Sequence, residues 1–222
     1  MNYSKYNIHK SWWKHIDCLF KDKKMEIILK ALYGSFFYPK KSNIFNSLSI
    51  DLNTINLVII GKHPYNSNES TGIPYETFTE HNTSIINIFN DIEDSFYDGN
   101  FNVERLESDS NKLDHWMSQG VCLINKAFTS KKGNPEAHFK IWKWFTDEII
   151  KIIAFKNPSC IFAYFGCTNT LISEVKHIVI EYPDPNTKEF KGVFKELYDI
   201  VKNNFNYEII WDKYDYESKK QR

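Results

Sequence analysis

Apolar residues recur at helical spacing between Ser11 and Leu32: Trp12, Ile16, Leu19 and Phe20, then Ile27, Ile28 and Leu32, on either side of the charged run Lys21-Asp22-Lys23-Lys24. This pattern predicts two amphipathic helices. Gly34 and Pro39 close the region, since both residues interrupt regular structure. A different pattern follows at Leu57-Val58-Ile59-Ile60, a short β-branched run that stops at Gly61 and Pro64. Continuous apolar character over so few residues predicts a strand covered on both faces.

The same format returns at Gly120 to Asn125, at Ser159 to Gly166 and at Lys176 to Ile180. Between these runs, Ser84 to Phe96, Trp142 to Phe155 and Val193 to Asn203 carry apolar residues three or four apart, as helices do. Strands that alternate with helices argue for an α/β protein built on one sheet. Tyr207 to Trp211 reads either as a last edge strand or as a packed extension. The polar end, DKYDYESKKQR, is expected to fray from about residue 215 to residue 222.

Composition narrows this picture only in places. A chain of 222 residues suits a single α/β domain over 1–222. With 42% hydrophobic and 16% aromatic residues, it holds enough apolar surface to fold. Lys plus Arg and Asp plus Glu balance at 28 each, so any attraction to nucleic acid must come from local patches. Cys18, Cys122, Cys160 and Cys167 show no CxxC spacing, so neither zinc nor a disulfide framework is expected. No metal or cofactor is expected either. There is no run of about 20 apolar residues to span a membrane and no secretory apolar stretch, which makes a reducing, intracellular compartment the default.

Ligands of open α/β sheets bind beyond the carboxyl ends of the strands. The residues at those ends are Gly61-Lys62-His63-Pro64-Tyr65-Asn66, Asn125, Gly166-Cys167 and Tyr182-Pro183-Asp184-Pro185. They gather imidazole, phenol, amide and ammonium groups among turn-forming residues, which suits a pocket the size of a nucleobase or another small molecule. Asn125 can equally be a turn residue bonded to its own backbone. Tyr182 can pack against Pro183, and Tyr75 can belong to the core.

These segments resemble the family 1 uracil-DNA glycosylases in unbroken order from Trp13 nearly to Trp211. Val58 to Asn66, VIIGKHPYN, resembles the family's water-activating Gly-Gln-Asp-Pro-Tyr-His segment, with Lys62, His63 and Asn66 in place of the glutamine, aspartate and histidine. Thr71-Gly72-Ile73-Pro74-Tyr75 is similar to the turn whose aromatic ring stacks on the flipped base. Leu113 to Asn125, LDHWMSQGVCLIN, is very similar to Leu-x-x-Trp-x-x-Gln-Gly-Val-x-Leu-Leu-Asn, which puts Asn125 at the base-reading asparagine. Ala137-His138 resembles the family's Ser-His, and Ser84 resembles a serine at a phosphate-contacting helix start. Tyr182-Pro183-Asp184-Pro185-Asn186 resembles His-Pro-Ser-Pro-Leu, with Tyr182 replacing the catalytic histidine and Asn186 the leucine wedge.

The resemblance implies a three-layer α/β/α fold around a central four-stranded, mainly parallel sheet. It implies catalytic positions at His63 and Tyr182 and base contacts from Lys62, Tyr65, Tyr75 and Asn125. It further implies DNA contacts from Pro64, Ser84, His138, Gly166, Cys167, Pro183, Asp184, Pro185 and Asn186. Glycosidic cleavage leaves positive character on the sugar, and His63 supplies no negative charge to face it. An imidazole can still accept a proton from water, and the Tyr182 hydroxyl can still donate to a uracil oxygen. Without an apolar wedge, extrusion from a duplex is harder.

The leading expectation is therefore a monomeric, DNA-binding glycosylase relative that recognises uracil or a flipped base, with excision weak or lost. The rivals are a slow glycosylase with His63 as base, and an interaction module acting on a replication or repair protein. The expected partner is DNA, uracil-containing or single-stranded, with no membrane association.

Overall fold

The computed structural model of the protein describes residues 6–32, 36–78, 82–97, 112–173 and 176–221. Gly34, one of the two expected helix terminators, lies outside them. The two amino-terminal helices form as their spacing predicts, at Trp13–Lys21 (α1) and Lys23–Leu32 (α2). Ile16, Leu19 and Phe20 of α1 and Met25, Ile28 and Leu32 of α2 are buried.

Four strands form one sheet: β1 (Leu57–Gly61), β2 (Val121–Asn125), β3 (Ile161–Phe165) and β4 (Val179–Tyr182). Their order is β2-β1-β3-β4, and every pairing is parallel. The expected mainly parallel sheet is thus wholly parallel. Every residue of β1, β2 and β3 is buried, as a sheet with helices on both faces requires. Helices α1, α2 and α5 (Phe139–Lys156) pack together, and α3 (Thr83–Phe96) packs on α6 (Val193–Phe205). A short α4 (Asp114–Ser118) precedes β2.

Two expectations shift. The fourth strand spans Val179–Tyr182, not Lys176 to Ile180, because pairing with β3 starts at Val179 opposite Phe162 and ends at Tyr182 opposite Phe165. At the carboxyl end, the expected frayed tail is instead a helix, α7 (Lys213–Lys220). Asp212 caps it by accepting the Asp215 N–H at 2.9 Å, and Tyr216 reaches Ser118 at 2.8 Å, hydroxyl to hydroxyl. Capping and tertiary contacts, among them the Tyr97 hydroxyl donating to Asp215 at 2.5 Å, thus hold a sequence whose polarity alone predicts fraying.

Tyr207 to Trp211 is a packed extension and not a strand. Ile209 and Trp211 are buried, and the Trp211 carbonyl accepts from both His115 Nε2 and Trp116 Nε1 at 2.8 Å. Because a carbonyl only accepts, His115 carries its proton on Nε2. Among the described residues its buried Nδ1 makes no hydrogen bond by distance and angle, and burial lowers its pKa.

Among the described residues no helix is long and apolar enough to cross a membrane.

Candidate functional site

Parallel pairing brings the carboxyl ends of all four strands to one edge of the sheet. In this order the chain leaves β1 toward β2 and β3 toward β4, so a crevice opens where the direction of winding reverses. A polar crevice of about 380 Å³ lies there. It brings together nine of the residues singled out above: Lys62, His63, Tyr65, Asn66, Tyr75, Ser84, Asn125, Asp184 and Asn186. The first four follow β1, Asn125 ends β2, and Asp184 and Asn186 follow β4.

Gly61 sets the floor. A Cβ built there would lie 2.6 Å from Asn125 Oδ1 and 2.9 Å from the Tyr75 hydroxyl, so only glycine lets these side chains close over the strand end. Asn125 is 5% exposed. Among the described residues its amide has no hydrogen-bond partner, and the residue lines the crevice.

Tyr75 occupies the left-handed backbone region at φ 66° and sets its ring 5.9 Å from Phe165. Tyr65 is pinned by a 3.1 Å bond from its hydroxyl to the Tyr75 carbonyl. Burial raises the pKa of both phenols, so both remain neutral donors.

His63 sits with its ring 5.9 Å from that of Phe139, and its Nδ1 lies 3.2 Å from the Pro64 carbonyl. A carbonyl only accepts, so Nδ1 carries a proton, and in the neutral ring Nε2 is the acceptor. Lys62 pairs with Asp184 at 2.7 Å. Burial works against the Asp184 charge, but Lys62 and the Asn186 donors outweigh it and hold the carboxyl below its usual pKa. Helix α3 starts beside them: Asn82 caps it by accepting the Ser84 N–H at 3.1 Å, and the Ser84 hydroxyl donates to Asn186 Oδ1 at 3.1 Å.

The structure leaves the other candidates outside the crevice lining. Tyr182 is 9% exposed and packs edge-on against Phe165 at 5.7 Å, in the aromatic core. Among the described residues its buried hydroxyl makes no hydrogen bond, and burial with the nearby Glu196 carboxylate keeps it protonated. His138 is also buried, held by Thr129 at 2.9 Å, and burial followed by Lys131 lowers its pKa. Cys167 donates to the Ile60 carbonyl at 3.5 Å, and burial raises its thiol to about 11. Gly166, Pro183 and Pro185 support the loop: a Cβ on Gly166 would lie 2.7 Å from that of Asp184, and Asn87 donates to the Pro185 carbonyl at 2.8 Å. Pro64 accepts from His63 as described.

Sequence reasoning missed Asn82, Thr83, Pro135, Glu136 and Phe165, which also line the crevice. An Asn just before an apolar helical pattern is a capping signal by which Asn82 could have been found. Nothing in the local sequence pointed to Glu136. Among the described residues, no group of three or more His, Cys, Asp or Glu side chains is placed to hold a metal.

A polar crevice at the switch point of a parallel sheet lies where open α/β proteins as a class place their ligands. No family model matches the chain. Relatives do, among them the uracil-DNA glycosylase of Borreliella burgdorferi, 32% identical over 200 residues, covering 82% of this chain and 85% of that protein. That of Buchnera aphidicola is 31% identical over 207 residues, covering 85% and 87%. The chain belongs to the uracil-DNA glycosylase family. Its fold matches the crystal structure of mimivirus uracil-DNA glycosylase with a TM-score of 0.73 at 17% identity, over 93% of this chain and 88% of that one.

Proposed function

We propose that the crevice recognises a uracil-sized base in DNA and excises it weakly or not at all. Asn125 carries this reading: a buried amide with both polar ends unpartnered is suited to the edge of a base. Tyr75 and Phe165 supply aromatic faces beside it. The pinned Tyr65 limits the room beside the 5-position, which favours uracil over thymine.

The chemistry that would follow binding is poorly provided for. His63 carries no negative charge in either protonation state. Tyr182, the other position where the resemblance implies catalysis, turns into the core. In an oligonucleotide assay that scores both retention and abasic sites, the pure protein is expected to retain uracil-containing single strands in preference to thymine-containing ones. Little abasic product is expected, and rapid release of uracil would overturn the reading.

The contact of His63 Nδ1 with the Pro64 carbonyl, which makes Nε2 the acceptor of the neutral ring, favours a second reading, a slow glycosylase in which this nitrogen takes a proton from the attacking water. His63→Ala would then abolish whatever base release the protein shows. Unchanged release would remove His63 from that role.

Gly61→Ala probes recognition separately. The added methyl meets the ends of two side chains and not the backbone, so the fold should survive while Asn125 and Tyr75 are displaced. The expected loss is about 1–3 kcal/mol of uracil-over-thymine discrimination, read by fluorescence anisotropy with thermal melting as the control for folding.

A further inference from the structure

Lys62 is the only lysine or arginine among the described residues lining the crevice, and its ammonium is engaged by Asp184 at 2.7 Å. Three donors converge on that carboxylate. Lys62 Nζ meets Oδ2, while the Asn186 backbone N–H and side-chain Nδ2 reach Oδ1 at 2.9 and 3.0 Å. The Asn186 amide is oriented for this, because the Ser84 hydroxyl donates to its Oδ1 and so turns Nδ2 toward Asp184. An ammonium, an amide NH₂ and a backbone N–H around one anionic group form the kind of donor set that a phosphate also accepts.

The carboxylate is not irreplaceable in this place. The Lys62 and Asp184 side chains are 34% and 22% exposed, so solvent and salt reach the pair. Pairs of this exposure are held weakly and are screened. The donors are separately supported: Asn186 by Ser84 of α3, the loop by Asn87 on the Pro185 carbonyl, and Lys62 by its place directly after β1. They would therefore persist if another anion replaced the carboxylate.

We propose that Lys62 and Asn186 form a phosphate-binding site at the crevice, occupied in the free protein by Asp184 as an internal competitor that a phosphate must displace. This assigns Lys62 to a phosphate and not to the base, and it rests on the reading that the crevice takes DNA. Asp184 thereby sets how strongly DNA is held, and removing its charge should strengthen binding.

The test compares wild type, Asp184→Asn, Lys62→Met and the double variant. The probes are a uracil-containing single-stranded oligonucleotide, titrated by anisotropy at several salt concentrations, and inorganic phosphate, followed by thermal shift. Asp184→Asn keeps an acceptor oxygen for Asn186 and frees Lys62. It is expected to bind the oligonucleotide several-fold more tightly than wild type, with a salt slope steeper by about 0.7, the increment of one further phosphate contact on a single strand. Lys62→Met is expected to bind several-fold more weakly, and the double variant should show no gain over it. Phosphate should raise the melting temperature of Asp184→Asn more than that of wild type, and should leave Lys62→Met unmoved.

A gain that persists in the double variant overturns the site, because it would reflect general loss of negative charge. So does Asp184→Asn with unchanged affinity and slope. If no form binds the oligonucleotide while phosphate still stabilises Asp184→Asn through Lys62, the DNA reading fails and the anion site stands. Should Asp184→Asn fail to fold by circular dichroism, Asp184→Ser serves in its place under the same criteria.

Discussion

His63→Asp is expected to raise the rate of uracil release by roughly 10²-fold, the scale on which one well-placed electrostatic group acts on a charged transition state. The substitution puts a carboxylate at the end of β1, on the crevice already lined by Asn125 and Tyr75. Its charge would face the sugar as that sugar becomes cationic. His63→Asn separates charge from shape, since it is close in size to aspartate but neutral, and no rise is expected from it. Single-turnover measurement of abasic-site formation reads both. A rise with Asn as large as with Asp would show that relief of the imidazole ring, and not charge, limits the reaction. Adding Tyr182→His to His63→Asp is expected to give no further rate and to lower stability. The side chain at 182 packs against Phe165 and lies outside the crevice lining, so an imidazole there would bury a polar ring in an aromatic core.

Trp116→Ala is expected to destabilise the fold by about 3–5 kcal/mol, the range for deleting a large buried aromatic. Trp116 has no exposed surface. Its ring lies 5.1 Å from Trp211 and 5.4 Å from Phe194, and its Nε1 donates to the Trp211 carbonyl at 2.8 Å. One residue thus joins α4, α6 and the 207–211 extension, which has no strand pairing to hold it. A loss of that size corresponds to a drop in melting temperature of roughly 6–20 °C for a protein of this length. Trp116→Phe keeps most of the ring packing and gives up the hydrogen bond, so a smaller loss is expected. Chemical denaturation with the two variants side by side checks the ranking. Equal losses would mean that the bond to the Trp211 carbonyl, and not ring volume, holds the extension.

Much of this architecture was legible in the chain. Strands β1, β2 and β3 are buried on both faces, so their residues must be apolar throughout, and such runs are visible without any partner. Strand β4 is half-exposed along most of its length. Its apolar signal is weaker, and its ends had to be set by pairing with β3. The carboxyl-terminal helix escapes the sequence for a related reason: it is held by the Asp212 cap and by contacts with Ser118 and Tyr97, not by an apolar face.

The site was legible in part. Residues directly after strands were gathered as expected, since parallel pairing forces the strand ends together. Those that depend on side-chain direction were not, and Tyr182, Cys167 and His138 all turn away from the crevice lining.

By itself, then, the sequence determined the α/β class, the strands that form the buried sheet, and the presence of Gly61, Lys62, His63 and Asn125 at their ends. Short-range apolar patterning encodes these features, and each can be read within a window of a few residues. Only the tertiary structure decided that Tyr182 belongs to the core and that Lys62 meets Asp184. The first depends on which side of β4 faces Phe165, a matter of register. The second joins loops far apart in the chain, and only the parallel sheet brings them within reach of an ion pair.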